Sequence, residues 1–256
     1  MSRIAKAFAG KKAFISFLTA GDPDIETTEK NILALVAGGS SLIEIGIPFS
    51  DPIAEGPVIE RANMRALACG TTLETVFELV RRLREKTDVA LVFLTYINPI
   101  FVYGAERFFK KAAEAGVDGC VIPDLPFEER GELMSAAKAY QIELISLIAP
   151  TSLARVELIA KEATGFIYLV SSMGVTGVRQ NFSDNLMAII KKIREVTKTP
   201  IAIGFGIATV EQVRELKSYA DGIIIGSAIV KQIEMAGVEA PAKLEAYATE
   251  IVAALK

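Results

Sequence analysis

The chain has 256 residues, of which 51% are hydrophobic and 23% charged, a composition typical of a folded globular protein that excludes disorder. Its 28 basic and 31 acidic residues give a net charge of −3 without a basic block, which argues against nucleic acid and anionic membranes as partners. The sequence contains no histidine, so serine–histidine and cysteine–histidine hydrolases and histidine-based zinc sites are excluded. Any acid–base chemistry must use carboxylates, tyrosine or lysine.

Eight short apolar runs, rich in Ile, Val and Phe, recur at intervals of roughly 20 to 40 residues, and each is followed by a segment with helical periodicity. Segment 72–86 is a clear example, because its apolar residues fall on one helical face and its charged residues on the other. The eight runs are predicted to be buried strands: 13–19, 42–48, 89–96, 117–123, 143–149, 165–171, 200–205 and 222–226.

This alternation of strands and helices predicts an α/β fold. Strands buried on both faces and separated by helices form parallel sheets, and eight such units in about 250 residues match a closed (β/α)8 TIM barrel. An open doubly wound sheet is the alternative, but no GxGxxG sequence opens a helix after the first strand. We therefore expect residues 1–256 to form a single barrel domain, with an extra N-terminal helix, 2–9, covering the bottom of the barrel.

Cysteine usage and the length of the apolar runs bear on location. Cys69 and Cys120 show no CxxC spacing, and the N-terminus lacks the apolar core of a signal peptide. The apolar runs are much shorter than the roughly 18 to 20 residues that a membrane-spanning helix needs. The sequence therefore predicts a cytoplasmic protein without a membrane segment.

The active site of such a barrel lies at the C-terminal ends of its strands, and Glu44 is the most informative residue there. The two-residue period of a strand places Glu44 on the same side as Leu42 and Gly46, opposite the isoleucines. If the isoleucines pack against helices, Glu44 faces the barrel interior, where its carboxyl should have a raised pKa suited to donating and accepting a proton. The alternative is a structural glutamate paired with an interior basic residue, although no such partner is obvious. No predicted strand ends in lysine, which argues against a Schiff-base aldolase.

Glycines at the ends of the last two strands indicate a phosphate site. Gly204-Phe-Gly206 and Gly226-Ser227 allow backbone N–H groups to approach an anion, in the loops that bind phosphate in many barrels of this type. A further glycine-containing loop, 174–177, follows the sixth strand. We expect the phosphate of an ester substrate to contact Gly206, Gly226, Ser227 and, from the loop 174–177, Gly177.

Several motifs occur in a specific order along the chain. The most specific is Glu-Ile-Gly-Ile-Pro-Phe-Ser-Asp-Pro-Ile-Ala-Glu-Gly-Pro at 44–57. The others are Phe-Leu-Thr-Ala-Gly-Asp-Pro at 17–23, Pro-Asp-Leu-Pro at 123–126, Gly-Val-Thr-Gly at 174–177, Gly-Phe-Gly-Ile at 204–207 and Gly-Ser-Ala-Ile-Val at 226–230. With these motifs the chain resembles the tryptophan synthase α-subunit family over essentially its full length.

The resemblance implies a lyase of tryptophan biosynthesis that cleaves indole-3-glycerol phosphate to indole and glyceraldehyde 3-phosphate by a retro-aldol reaction. It implies no metal or organic cofactor on this chain. Indole would pass to a β subunit that carries pyridoxal phosphate, within an α2β2 heterotetramer. The family assigns acid and base catalysis to the position of Glu44, and a contact with the indole N–H to the position of Glu55.

The resemblance also assigns roles to other residues. Tyr168 lies in the sixth strand, where the family has a tyrosine near the catalytic glutamate, so a positioning hydroxyl is expected. Phe17, Tyr96 and Ile122 are expected walls for the indole ring, although each is equally compatible with the core. Thr176, in the loop 174–177, is expected to contact the substrate.

One position departs from the family pattern, because the family normally has aspartate where this chain has Glu55. The additional methylene moves the carboxylate by about an ångström, and misplacement on that scale can lower a rate by on the order of 100-fold. Two function classes therefore remain open. The chain is either a lyase, or a catalytically weak subunit that mainly binds and activates its β partner.

Overall fold

Parallel strands close into one barrel and follow one another around it in chain order. The computed structural model describes residues 1–149, 153–170, 179–204 and 206–256, and it leaves aside the side chains of 153–154 and 179–185. Within these ranges the strands are β1 Ala13–Thr19, β2 Leu42–Gly46, β3 Ala90–Leu94, β4 Gly119–Val121, β5 Glu143–Ile148, β6 Ile167–Val170, β7 Ile201–Gly204 and β8 Gly222–Ile225. Because β8 pairs with β1, the predicted (β/α)8 TIM barrel is confirmed.

Helices alternate with the strands and cover the outside of the barrel. In the described ranges they are α1 Arg3–Ala7, α2 Ile25–Ala37, α3 Pro57–Ala68, α4 Leu73–Arg84, α5 Ile97–Tyr103, α6 Ala105–Ala115, α7 Gly131–Ala139, α8 Leu153–Glu162, α9 Arg179–Val196, α10 Val210–Leu216, α11 Ser227–Ala236 and α12 Ala240–Leu255. Short 3-10 turns lie at Phe127–Glu129 and Gly237–Glu239. In the part of the chain that the structure describes, no helix combines the length and apolar character needed to cross a membrane.

The direction of each β2 side chain follows from the two-residue period. Ile43 and Ile45 point outward and belong to the apolar layer between the barrel and its helices. Glu44 points inward and is in register with Phe17 on β1 and Val92 on β3. The strand geometry alone therefore carries Glu44 into the barrel interior.

Helix α1 closes the bottom of the barrel, as the sequence predicts for an extra N-terminal helix. Ile4 and Ala7 are buried in the same interior cluster as Ile15 and Leu42. The helix is shorter than the predicted 2–9, because the Ser2 side chain accepts a hydrogen bond from the Ala5 N–H and so caps its first turn. With the bottom closed by apolar side chains, the opposite end of the barrel is left open for a site.

Candidate active site

A pocket of about 280 Å³ opens at the C-terminal ends of the strands. This size is close to the lower end of the range for small-molecule sites. Its lining is mainly apolar and includes two carboxyl side chains, Glu44 and Glu55. The described residues that line it are Phe17, Glu44, Ala54, Glu55, Gly56, Ile59, Leu94, Pro123, Leu147, Tyr168, Gly206, Ile207, Ala208, Ile224, Gly226, Ser227 and Ala228.

Glu44 is a carboxyl in a dry environment. Its side chain is 0% exposed, and neither carboxyl oxygen has a hydrogen-bond partner among the described residues. Burial disfavours the ionised form and raises the pKa of Glu44 to about 8. The alternative of a structural glutamate neutralised by an interior basic residue finds no support in the described part of the barrel. Glu44 is therefore a group that can both donate and accept a proton close to neutral pH.

Tyr168 shares the barrel interior with Glu44. It is 7% exposed, and burial together with the nearby charge of Glu44 raises the pKa of its hydroxyl well above the ordinary value. Its ring lies against Gly204, where a Cβ atom would be 2.6 Å from the tyrosine oxygen. Gly204 is therefore needed as the space for Tyr168, and this requirement explains the first glycine of the Gly204-Phe-Gly206 motif.

Phe17 forms an apolar wall of the pocket. The ring packs over Gly46, where a Cβ atom would be 2.8 Å from two ring carbons, and beside Gly226, where it would be 3.1 Å from Cδ1. Gly46 at the end of β2 and Gly226 just after β8 thus let a large aromatic side chain reach the pocket. Phe17 lines the pocket, and its contact with the indole ring stays a prediction.

Glu55 lies on the loop between β2 and α3 and is partly buried. Its Oε2 atom accepts a hydrogen bond from Asn63 Nδ2 at 2.7 Å. Burial raises the pKa of Glu55, and the interactions with the Asn63 amide and the Tyr96 hydroxyl oppose that rise. The Glu55 side chain therefore interacts with Asn63 on α3 and with Tyr96 just before α5.

Tyr96 and Ile122 do not lie where the sequence analysis expects them, since neither lines the pocket. Tyr96 is 1% exposed and sits beneath the loop, where its hydroxyl accepts a hydrogen bond from the Ala54 N–H at 3.1 Å. Ile122 follows Val121, which points into the barrel, so Ile122 points outward and lines a neighbouring cavity. The structure thus places Tyr96 as a support of the Glu55 loop and Ile122 outside the barrel wall.

The opposite side of the pocket is formed by the loops after β7 and β8. Gly206, Gly226 and Ser227 line it together, as the sequence predicts. Helix α11 begins at Ser227, and its first turn receives no hydrogen bond from a capping side chain. The backbone N–H groups in the first turn of α11 are therefore available to bind an anion in the pocket. Thr176 and Gly177 lie outside the described residues.

The site also contains two residues that are not predicted from the sequence, Asn63 and Leu147. Asn63, which holds Glu55, lies on α3 eight positions after it in the sequence. Leu147 lines the pocket, and its inward direction follows from the alternation along β5. That alternation is a usable sequence signal, whereas the contact from Asn63 depends on how the loop folds back onto α3.

The chain forms a closed (β/α)8 barrel with a fully buried carboxyl at its open end and, across the pocket, a helix N-terminus that no side chain caps. These features are typical of a barrel enzyme that binds an anionic substrate. The family model described as "Tryptophan synthase alpha chain" matches residues 4–255. The chain belongs to this family.

Individual relatives agree with the family match. The tryptophan synthase alpha chain of Lacticaseibacillus casei is 50% identical over 251 residues, which are 98% of this chain and 94% of the relative. The relative from Alkaliphilus metalliredigens is 50% identical over 235 residues, which cover 92% and 88% of the two chains. Membership of the family makes the chain a carbon–carbon lyase of tryptophan biosynthesis.

Solved structures show the same architecture. A Campylobacter jejuni tryptophan synthase subunit alpha superposes with a TM-score of 0.86 at 37% identity, covering 95% of this chain and 97% of the other. A structure of Mycobacterium tuberculosis tryptophan synthase gives a TM-score of 0.88 at 32% identity, covering 99% and 98%. The fold found here is therefore the fold of this family.

Proposed function

We propose that Glu44 is both the acid and the base in the retro-aldol cleavage of indole-3-glycerol phosphate to indole and glyceraldehyde 3-phosphate, the reaction of this family. The observation that carries the assignment is the complete burial of Glu44 without a hydrogen-bond partner among the described residues, on the wall of the pocket. With a pKa of about 8, most of the carboxyl is protonated at pH 7. A proton is therefore ready for transfer to the substrate.

The first step is protonation of the indole ring. Indole leaves poorly as a carbanion, so the bond to its ring carbon C3 breaks only after that carbon has received a proton. Glu44 donates this proton, a C–H bond forms at C3, and the ring nitrogen takes the positive charge. The ionised Glu55 carboxylate stabilises this cation through the ring N–H. The hydrogen bond from Asn63 favours the ionised form of Glu55 that this role needs.

The second step breaks the carbon–carbon bond. The Glu44 carboxylate, ionised by the first step, removes the proton of the side-chain hydroxyl next to the ring. The electron pair of the O–H bond forms the aldehyde C=O, and the electron pair of the broken carbon–carbon bond returns to the ring and neutralises the nitrogen. Glu44 is then protonated again and Glu55 is unchanged. The cycle closes with these side chains alone and requires no metal or organic cofactor on this chain.

Substrate binding uses the remaining parts of the pocket. The phosphate is held by the backbone at Gly206 and Gly226, by Ser227 and by the start of α11. The indole ring lies against Phe17, which forms an apolar wall. The Tyr168 hydroxyl positions the reacting group beside Glu44. Fixing the phosphate at one end and the ring at the other aligns the C3 carbon with the Glu44 carboxyl.

We further propose that the chain works with a β subunit in an α2β2 complex in the cytoplasm, and that pyridoxal phosphate belongs to that subunit. The similarity to a structure of Mycobacterium tuberculosis tryptophan synthase supports this assembly. The alternative of a catalytically weak activator is not favoured, because the chain keeps a dry acid–base carboxyl that activation alone does not require.

A coupled assay for glyceraldehyde 3-phosphate tests the proposal. Release from indole-3-glycerol phosphate is measured for the chain alone and with a β subunit. We expect turnover in both cases and faster turnover in the complex. If the complex makes tryptophan from added indole but releases no glyceraldehyde 3-phosphate, the chain is an activator and the proposed lyase role is wrong.

A further inference from the structure

A second cavity, of about 660 Å³, lies next to the catalytic pocket along β5, and residues on both faces of that strand line it. Leu144 and Ile148 point away from the barrel interior, and together with Ser146 they form the floor of this cavity. Glu44 and Tyr168 do not line it, at least within the described residues. The two cavities share the Glu55 loop, Pro123 and Leu147, but within the described residues Arg130 and Ser146 line only the second cavity.

The walls of the cavity are largely apolar. They come from the ends of β4 and β5, from the start of α7 and from α8. The apolar residues that line it but not the catalytic pocket are Ile53, Cys120, Ile122, Leu125, Phe127, Leu144, Ile145, Ile148, Ala149, Val156, Ile159 and Val170. A cavity of this size and lining suits a small organic molecule with an apolar body.

Arg130 is a buried cation in the wall of this cavity and is 8% exposed. Its Nη1 atom donates to Ser146 Oγ at 3.3 Å, and its guanidinium lies 5.3 Å from the centre of the Phe127 ring. Its Nη2 atom is buried and has no hydrogen-bond partner among the described residues. Burial lowers the pKa of Arg130, and the charge of Glu162 acts in the opposite direction. An unpaired buried donor of this kind is costly unless something binds to it.

The neighbouring acids do not neutralise Arg130. Glu162 is exposed and acts on it only through space. Glu128 is held by Arg155, whose Nη2 donates to both carboxylate oxygens. Glu55, which also lines the cavity, is bound by Asn63. No carboxylate among the described residues therefore neutralises the Arg130 guanidinium, which lies in the wall of a largely apolar cavity.

We propose that this cavity is a second ligand site, which binds a small amphiphilic carboxylate with its carboxylate on Arg130 and its apolar body along α8 and β5. A guanidinium matches the planar geometry of a carboxylate, and Ser146 supplies a second polar contact. A phosphate is a poorer match, because its third oxygen and second charge would be left in apolar surroundings. The carboxylate contacts of this site, Arg130 and Ser146, have no part in the proposed reaction, although the Glu55 loop lines both cavities.

Binding is tested with 4-phenylbutyrate as the probe and 4-phenylbutyramide as its uncharged analogue. Both are titrated into the full chain by NMR in the presence of saturating glycerol 3-phosphate, which occupies the phosphate end of the catalytic pocket. We expect the acid to bind about tenfold more tightly than the amide, the size of one charge-assisted hydrogen bond. Equal affinity for acid and amide, or displacement of the acid by glycerol 3-phosphate, would overturn the proposal.

Two variants locate the charge that is recognised. Arg130→Met removes the guanidinium but keeps an apolar side chain of similar length, and it should abolish the preference for the acid. Arg155→Met is the matched control, because Arg155 is an exposed arginine at the rim that is already paired with Glu128. It should keep the preference. A preference that survives in Arg130→Met, or that is lost in Arg155→Met, places the anion elsewhere.

A measurement on the unchanged protein gives an independent result if Arg130→Met does not fold. Intermolecular NOEs should connect the phenyl group of the probe to the methyl groups of Val156 and Ile159, which line this cavity only. NOEs to Phe17 and Ile224 instead would put the probe in the catalytic pocket and overturn the proposal.

Discussion

Glu44 and Glu55 line the same pocket but are held in different ways. Glu44 is fully buried on a strand and has no hydrogen-bond partner among the described residues, so its pKa rises to about 8. Glu55 lies on a loop, is partly buried, and is fixed by Asn63. Both pKa values are raised by burial, but only that of Glu55 is opposed by hydrogen bonds. One pocket thus contains a carboxyl whose pKa is raised by burial alone and a second whose pKa rise is opposed by hydrogen bonds.

Two carboxyls in one pocket thus acquire different acid–base properties from their surroundings. The environment of Glu44 is created by the barrel itself, since its direction follows from the alternation along β2 and its dryness from the surrounding strands. The environment of Glu55 is created by individual side chains around the loop. Changes at Glu44 should therefore affect the chemistry alone, whereas changes near Glu55 should affect the position of a loop.

Glu44→Gln should have the largest effect. It preserves the shape of the side chain but removes the titrating proton. The rate of cleavage should therefore fall by about 1,000-fold or more, a loss typical of removing a general acid–base group. Glycerol phosphate binding should stay close to that of the parent. The matched control is Glu143→Gln, at the start of β5 near the other end of the barrel, which should keep full activity. Substantial turnover in Glu44→Gln would remove Glu44 from the acid–base role.

Substitutions of Glu55 should have the next largest effect and distinguish charge from length. Glu55→Ala removes the charge that stabilises the ring cation and should lower kcat by about 100-fold. Glu55→Asp keeps the charge and should retain activity. Glu132→Ala, at an exposed acid in the first turn of α7, is the control. Steady-state kinetics with a β subunit decide the matter, and an alanine variant as fast as the parent would exclude a catalytic part for Glu55.

Gly226→Val tests the phosphate side of the pocket. A Cβ atom added at this position would lie 3.1 Å from Phe17 Cδ1, and the valine methyl groups would obstruct the anion's approach to the start of α11. Binding of glycerol phosphate should weaken by about tenfold, because one charge-assisted contact is lost. Gly131→Val is the control, since a Cβ atom there meets nothing within 4 Å. Unchanged affinity in a folded Gly226→Val protein would relocate the phosphate site.

Tyr96→Phe should have the smallest effect and tests the support of the Glu55 loop. It removes the hydroxyl that accepts the hydrogen bond of the Ala54 N–H, so kcat should fall by about fivefold, the worth of one net hydrogen bond. Tyr103→Phe, which removes an exposed hydroxyl that donates to Glu74, should leave kcat unchanged. A loss of substrate affinity without a change in kcat would indicate instead that Tyr96 touches the indole ring.

Much of the site could be predicted because strand alternation is a strong signal. The inward direction of Glu44 follows from the period of two, and the arrangement of Gly206, Gly226 and Ser227 follows from the strand ends of a closed barrel. The same period, applied to β4, would have placed Ile122 outside the barrel, because Val121 points inward.

Other features depend on contacts that the sequence does not encode locally. Tyr96 lies beyond the end of β3, where strand alternation no longer fixes the direction of a side chain. The burial of Arg130 results from the packing of α7 against β5, and a lone arginine near a helix start normally indicates a solvated surface. The bond between Asn63 and Glu55 depends on the loop folding back onto α3.

The central claim is that Glu44 is a proton donor near neutral pH because it is buried without a partner. A 13C NMR titration of the Glu44 carboxyl carbon in the ligand-free protein, with the signal assigned by its absence in Glu44→Gln, measures this property directly. We predict that the signal titrates with a pKa of about 8. A pKa near 4.5, the ordinary value for glutamate, would contradict the account, because Glu44 would then be ionised at pH 7 and have no proton to give to the indole ring.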